Sequence, residues 1–242
     1  VRRHVQALLL VLTGAGLLHA CLFTGLYLRY VKEGLRPFLI ISGVVILLLG
    51  LASAVLDRRV TDDAGHGHDH DHARAPRVAW LLCLPALSLL FYAPPALGAY
   101  TAARSSAKAV ERPERFGPLP ATAPLPMTLT DFTARVQQDR TLAVRDRTVE
   151  LTGFVTPAAE GGGWFLTRII FNCCAADSQS VKVRMYGVSA PPADTWLAVN
   201  GTWHPSGRLG TRTAEAALDV HRTRPIAPPV NSFTDDLPLT PS

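Results

Sequence analysis

Three long stretches of the chain carry no Asp, Glu, Lys or Arg: Val5 to Leu28, Pro37 to Leu56 and Val78 to Ala103. A helix rising about 1.5 Å per residue needs roughly 20 apolar residues to cross the hydrocarbon core of a bilayer, so each stretch is long enough to span. The pattern predicts three transmembrane helices in residues 1–103. In the first, Gly16, Ala20 and Thr24 form a small-residue row, the expected packing seam, with His19 beside it. Cys21 and Cys83 sit inside apolar stretches and read as small packing groups. In the third, Pro85, Pro94 and Pro95 predict a kink and an early end.

Residues 104–127 are rich in Pro and Ala and read as a linker. "TLTDFTARVQQD" follows, a short helix with Thr130 as the expected N-cap and Phe132 and Val136 on one face. From Arg147 the period drops to two. "RTVELTGFVT", "WFLTRIIFNC", "VKVRMYG", "TWLAVNGTW" and "AALDVHR" read as five strands joined by short turns. Residues 128–242 are therefore expected to be a short helix plus an all-β domain, a five-stranded OB-like barrel being the expected architecture and an open sandwich its alternative. Trp164, Trp196 and Trp203 are read as barrel packing, and Gly201 as the point where a central strand bends.

Composition supports the membrane reading. Of 242 residues 18% are charged, and the mean hydropathy is above zero. Arg2 and Arg3 before an apolar run, and "LLHAC" ending at Cys21, raise the possibility of a cleaved lipoprotein leader. His19 fits such a site poorly and the apolar run continues past Cys21, so an uncleaved span is expected. With the C-terminal domain's own charges set aside, Arg2, Arg3, Arg58, Arg59, Arg74 and Arg77 outnumber Arg29, Lys32 and Arg36. That bias places the N-terminus in the cytoplasm and the C-terminal domain outside, in a multi-pass protein of the cell membrane. The net charge of +5 is spread over loops without a basic, aromatic-interleaved stripe; it suits membrane lipid, and no nucleic-acid partner is expected.

Two segments carry candidate chemistry. Within the polar segment 62–77, His66, His68, Asp69, His70, Asp71 and His72 alternate with few interruptions. Neutral imidazoles and carboxylates on a glycine-containing loop can wrap zinc or another divalent transition metal without a preformed pocket, and capture fades below about pH 6 as the imidazoles protonate. A solvated polar loop is the alternative. The second segment is "FNCCAAD", where Cys173, Cys174 and Asp177 can supply soft and hard ligands to one ion, with His204 or His221 as possible additions. On a strand the adjacent cysteines would point to opposite faces, and a disulfide between them would close a strained ring. The alternative is one core and one exposed thiol. There is no phosphate-binding glycine loop, nucleophile elbow or Ser/His/Asp set, so no catalytic residue is assigned and the chain is not expected to be an enzyme.

Taken together, the three spans, "HGHDHDH", the proline-rich linker and a β-domain carrying "VELTGFV", "FLTRIIFNCCAAD" and "WLAVNGTW" resemble the YcgQ-like (DUF1980) family. The sharpest shared motif runs from Arg168 to Asp177. The resemblance implies an accessory permease subunit working with a DUF318-type multispanning permease, in settings connected with zinc. The helices would dock the permease while the β-domain receives or gates a metal or thiol-reactive solute. The rival expectation is a non-catalytic envelope scaffold or assembly protein whose β-domain binds a peptide or protein partner.

Overall fold

The computed structural model describes residues 2–63, 96–105, 110, 115–158 and 163–237. The chain divides into two compact units, Val1–Thr24 with Arg36–Ala96, and Gly25–Leu35 with Leu97–Ser242.

In the first unit, helix α1 (Arg2–Leu22) packs on helix α2 (Arg36–Asp63). The buried positions of α1 include Ala7, Gly14 and Cys21, and those of α2 Gly43 and Gly50, seven residues apart in each helix. A Cβ on Gly14 would lie 2.7 Å from the backbone nitrogen of Leu47, and one on Gly50 2.9 Å from that of Val11. The backbones touch because these side chains are absent, which maximises dispersion between helices. The expected seam of Gly16, Ala20 and Thr24 is not the contact: nothing lies within 4 Å of a Cβ placed on Gly16. At roughly 100° per residue a four-residue step rotates about 40° around the helix and leaves the face, whereas seven residues drift only about 20°. His19 likewise faces outward, 5.7 Å from the Phe23 ring. The outer surface of the pair is apolar, with Leu8, Leu12, Phe38, Ile41 and Leu48 exposed.

Among the described residues one helix is long and apolar enough to cross a membrane, over Glu33–Val55, while α1 offers a shorter apolar stretch, Gln6–Leu22. The first expected span thus stops short of Leu28. The Thr24 hydroxyl bonds back to the Ala20 carbonyl at 2.9 Å, and Leu26–Arg29 form a 3-10 turn that belongs to the second unit. Of the third expected span, residues 78–95 lie outside the described residues. Its tail forms helix α3 (Ala99–Arg104), whose first amide donates to Asp194 Oδ1 at 2.6 Å and whose Ala99 and Ala102 are buried with Phe154, Ile169 and Phe171.

The second unit is built on strands β1 (Leu125–Pro126), β2 (Val149–Pro157), β3 (Trp164–Ile170), β4 (Gln179–Tyr186), β5 (Trp196–Trp203) and β6 (Ala217–Pro225). They form one sheet in the order β1-β2-β3-β4-β6-β5, and β2 also pairs with β5. The β4–β6 and β1–β2 pairs are parallel and the others antiparallel. There are six strands rather than five because the segment expected as linker supplies β1: the Leu125 and Met127 amides donate to the Thr148 and Glu150 carbonyls at 2.9 and 3.0 Å. Gly201 sits at a register shift in β5, where a Cβ would meet the Asp219 carbonyl oxygen at 2.3 Å, so the close approach demands glycine.

Helix α4 (Leu129–Gln138) starts two residues before the sequence expectation: Thr128 is the N-cap, accepting from the Asp131 amide at 2.9 Å. Thr130 instead donates its amide and hydroxyl to Asp235 at 2.7 and 2.5 Å. The helix buries Leu129, Phe132 and Val136 against Leu151, Trp164, Val183 and Leu218. Burying each large apolar side chain contributes about 2 kcal/mol, so this apolar face, rather than the helix's short length, keeps it folded. Trp164 is fully enclosed in that core and Trp203 packs at its margin, while Trp196 packs against the second cluster of Phe154, Ile169 and Phe171.

Candidate metal centre

Strand β3 runs out at Ile170, three residues before the sequence pattern suggests. The next amide, on Phe171, donates to the Phe233 carbonyl at 3.2 Å, and the two phenyl rings stack at 4.4 Å. The chain therefore leaves the sheet and turns. Cys174 caps a 3-10 turn, Ala175–Asp177, and the Asp177 carboxylate folds back over it. It accepts the Cys173 amide at 2.9 Å and the Cys174 amide at 3.1 Å. Because neither cysteine is on a strand, the two thiols do not point to opposite faces; their sulfurs lie 3.6 Å apart.

Arg168, the first residue of the motif, holds the neighbouring segment. Its side chain is fully buried, its Nη2 donates to the Thr234 carbonyl, and its guanidinium lies 4.9 Å over the Trp196 ring. Burial lowers its pKa to about 10, opposed by the charges of Asp235 and Asp236, so it remains cationic at neutral pH. Asp235 also receives the first amides of α4, which ties the Arg168 strand, the helix and the C-terminal segment together. A cavity of about 530 Å³ shares Lys32, Phe171 and Asp235 with this corner.

The electrostatics of the turn favour a protonated thiol beside an ionised acid. Hydrogen bonding to Asp177, then to Cys174, pushes the exposed Cys173 thiol up to about 11. For Asp177, desolvation pulls upward, but the amides of Cys174, Cys173 and Asn172 and the Cys173 thiol together hold its carboxyl below the usual range. A thiophilic divalent ion would displace the thiol protons and take over the role of countercharge to the carboxylate. The geometry fits such an ion. Two thiolates bound at about 2.3 Å to tetrahedral zinc sit roughly 3.7 Å apart, close to the 3.6 Å found, and the ligand atoms of Cys173, Cys174 and Asp177 all lie within 4.8 Å of one another. On such an ion, three protein donors would leave a fourth position to water or an incoming ligand.

Among the described residues this is the one group of three or more His, Cys, Asp or Glu side chains placed to share an ion. His204 is not in it: its Nδ1 lies 2.7 Å from Asp219 Oδ1 and its ring stacks on Tyr186 at 4.0 Å. His221 faces Thr202 at 3.4 Å. His66, His68, Asp69, His70, Asp71 and His72 lie outside the described residues, as does Cys83. Cys21 is fully buried in the helix pair. Sequence reasoning missed Phe233, Thr234 and Asp235, the partners of Phe171 and Arg168 beside the turn. The one local signal was a charged Arg168 inside the apolar run "FLTRIIF".

The DUF1980 N-terminal domain matches residues 6–107 and the DUF1980 C-terminal domain matches residues 136–234. The chain belongs to the DUF1980 family. The matched regions take in both the helix pair and the Arg168–Asp177 motif of this DUF1980 protein. Neither the curated proteins nor the solved structures contain a match to it.

Proposed function

We propose that this DUF1980 protein is a membrane-anchored accessory subunit of a permease and that its β-unit binds a divalent transition metal, zinc first, through Cys173, Cys174 and Asp177. The role is binding rather than catalysis. The observation that carries it is the pair of sulfurs 3.6 Å apart with a carboxylate in the same turn. The partner, a DUF318-type multispanning permease, is proposed from the family resemblance. Support for a membrane location comes from the apolar stretch Glu33–Val55 and the exposed apolar side chains of the helix pair, which lipid would cover.

We propose a multi-pass arrangement. Residues Gly25–Leu35, which lead into α2, and the chain from Leu97 onward belong to one compact unit. On this reading, if α2 crosses the membrane, the chain would return across it before Leu97; the residues between, 64–95 with the His-rich run, lie outside the described residues. We read the side of the His-rich run as cytoplasmic and the β-unit as extracytoplasmic. Reporter fusions at residue 65 and at the C-terminus test this; both reporters active on one side would overturn it. We also read the circuit β2-β3-β4-β6-β5-β2, with its parallel β4–β6 pair, as an OB-like barrel, supported by the β2–β5 pairing.

The scaffold reading draws on a different observation, a groove of about 780 Å³ lined by Pro126, Ala198, Ile226 and Pro229 together with Glu150 and Arg224. A Cys173→Ala/Cys174→Ala variant separates the two. Lost zinc tolerance of cells with the permease still co-purifying supports the permease-subunit reading. Unchanged zinc tolerance, or a wild-type protein that carries no permease through detergent purification, contradicts it.

A further inference from the structure

The metal-bearing turn is closed from outside by a distant piece of chain. The Lys32 amide donates to the Cys173 carbonyl at 2.9 Å, the Ala175 amide donates to the Tyr30 carbonyl at 2.8 Å, and Val31 forms an antiparallel bridge with Cys174. Next to this, Asn231 Nδ2 donates to Glu33 Oε2 at 3.3 Å, and Leu28 is buried. Residues 25–35 thus clasp the Cys173 carbonyl and the Ala175 amide, on either side of Cys174, while the Asp177 carboxylate holds the Cys173 and Cys174 amides. The clasping stretch is the connection between α1 and α2.

We propose that metal bound by Cys173, Cys174 and Asp177 latches this clasp, so that occupancy of the site is felt by the loop joining the two N-terminal helices. The inference rests on the metal reading above. An ion holding both sulfurs and the carboxylate fixes the backbone of 173–177 in the conformation whose carbonyl and amide the clasp uses. The clasp ties are backbone hydrogen bonds at an edge where Lys32, Glu33 and Gly34 are exposed, the kind of contact that opens locally at low cost. Removing the motion of the turn lowers the entropy lost when the clasp closes, and by linkage a closed clasp raises metal affinity by the same factor. The second arm of this coupling does not depend on how the loop is used afterwards, by a permease or otherwise.

The test is amide hydrogen exchange on the full chain in detergent, with and without Zn²⁺, with His66, His68, His70 and His72 replaced by Ser so that the His-rich run does not contribute. Exchange in peptides covering 25–35 is expected to slow about tenfold with zinc, an effect abolished in a Cys173→Ser/Cys174→Ser chain. A Lys32→Pro variant, which lacks the clasp's donor amide, is expected to bind zinc about fivefold more weakly in chelator competition, while Lys32→Ala, which keeps the amide, binds as the parent does. Zinc bound at the cysteines with unchanged exchange in 25–35 overturns the latch alone. Absence of cysteine-dependent zinc binding overturns the metal reading and the latch with it.

Discussion

At Cys173 the nearest polar groups are the Asp177 carboxylate and the Cys174 thiol, and both favour the neutral sulfur. With its pKa raised to about 11 from an ordinary 9.0, the metal-free thiol carries little thiolate at neutral pH, and alkylation should climb only as pH approaches 11. In Asp177→Asn the principal cause of the shift is gone, so the pKa falls toward 9.0. Labelling of Cys173 by iodoacetamide at pH 8, followed by mass spectrometry in a Cys174→Ser background, is expected to run at least several-fold faster in the Asn variant. Equal or slower labelling would contradict this assignment of the shift. The three candidate ligands could be named from "NCCAAD"; the turn that brings their atoms within 4.8 Å of one another could not. Alternation continued through "WFLTRIIFNC" and implied a strand. The strand is cut short by the Phe171–Phe233 contact, which no local pattern announces.

At the scale of elements, periodicity found α1, α2, α4 and the five main strands, because each has an apolar face that must be buried in protein or lipid. It misjudged edges and seams, which depend on neighbours. Thr130 resembles an N-cap as much as Thr128 does, and it is the Asp235 carboxylate, more than a hundred residues along the chain, that occupies it. The helix seam was misplaced because Gly16 and Gly14 are equally small, and only the opposing helix distinguishes them. Gly14→Val is therefore expected to cost about 2 kcal/mol through overpacking against the Leu47 backbone, whereas Gly16→Val, with open space around it, is near neutral. The buried Cys21 thiol is the probe: in a chain whose other cysteines are Ser, a thiol-reactive dye should report unfolding at a lower temperature for Gly14→Val alone. Equal midpoints for the two variants would contradict the seam.

Over the whole molecule, the sequence suggested consecutive segments, 1–103, 104–127 and 128–242, whereas the compact units interleave: Gly25–Leu35 lies with the chain from Leu97 onward. Such an arrangement is set by pairings such as Val31 with Cys174 and Lys32 with Cys173, which join residues far apart and leave no trace in either segment alone. The interleaving matters for function. It puts the Cys173–Asp177 turn in contact with the connection between the two N-terminal helices. In the proposed multi-pass arrangement the His-rich run would sample metal on one face and the Cys173 turn on the other, an arrangement suited to a subunit serving a permease. All of this depends on the Cys173 turn holding metal. The direct measurement is elemental analysis of the purified full chain, equilibrated with zinc and desalted, with His66, His68, His70 and His72 replaced by Ser. The account predicts about one zinc per chain, lost when Cys173 and Cys174 are also replaced by Ser. The same zinc content with and without the two cysteines, or none in either chain, would contradict it.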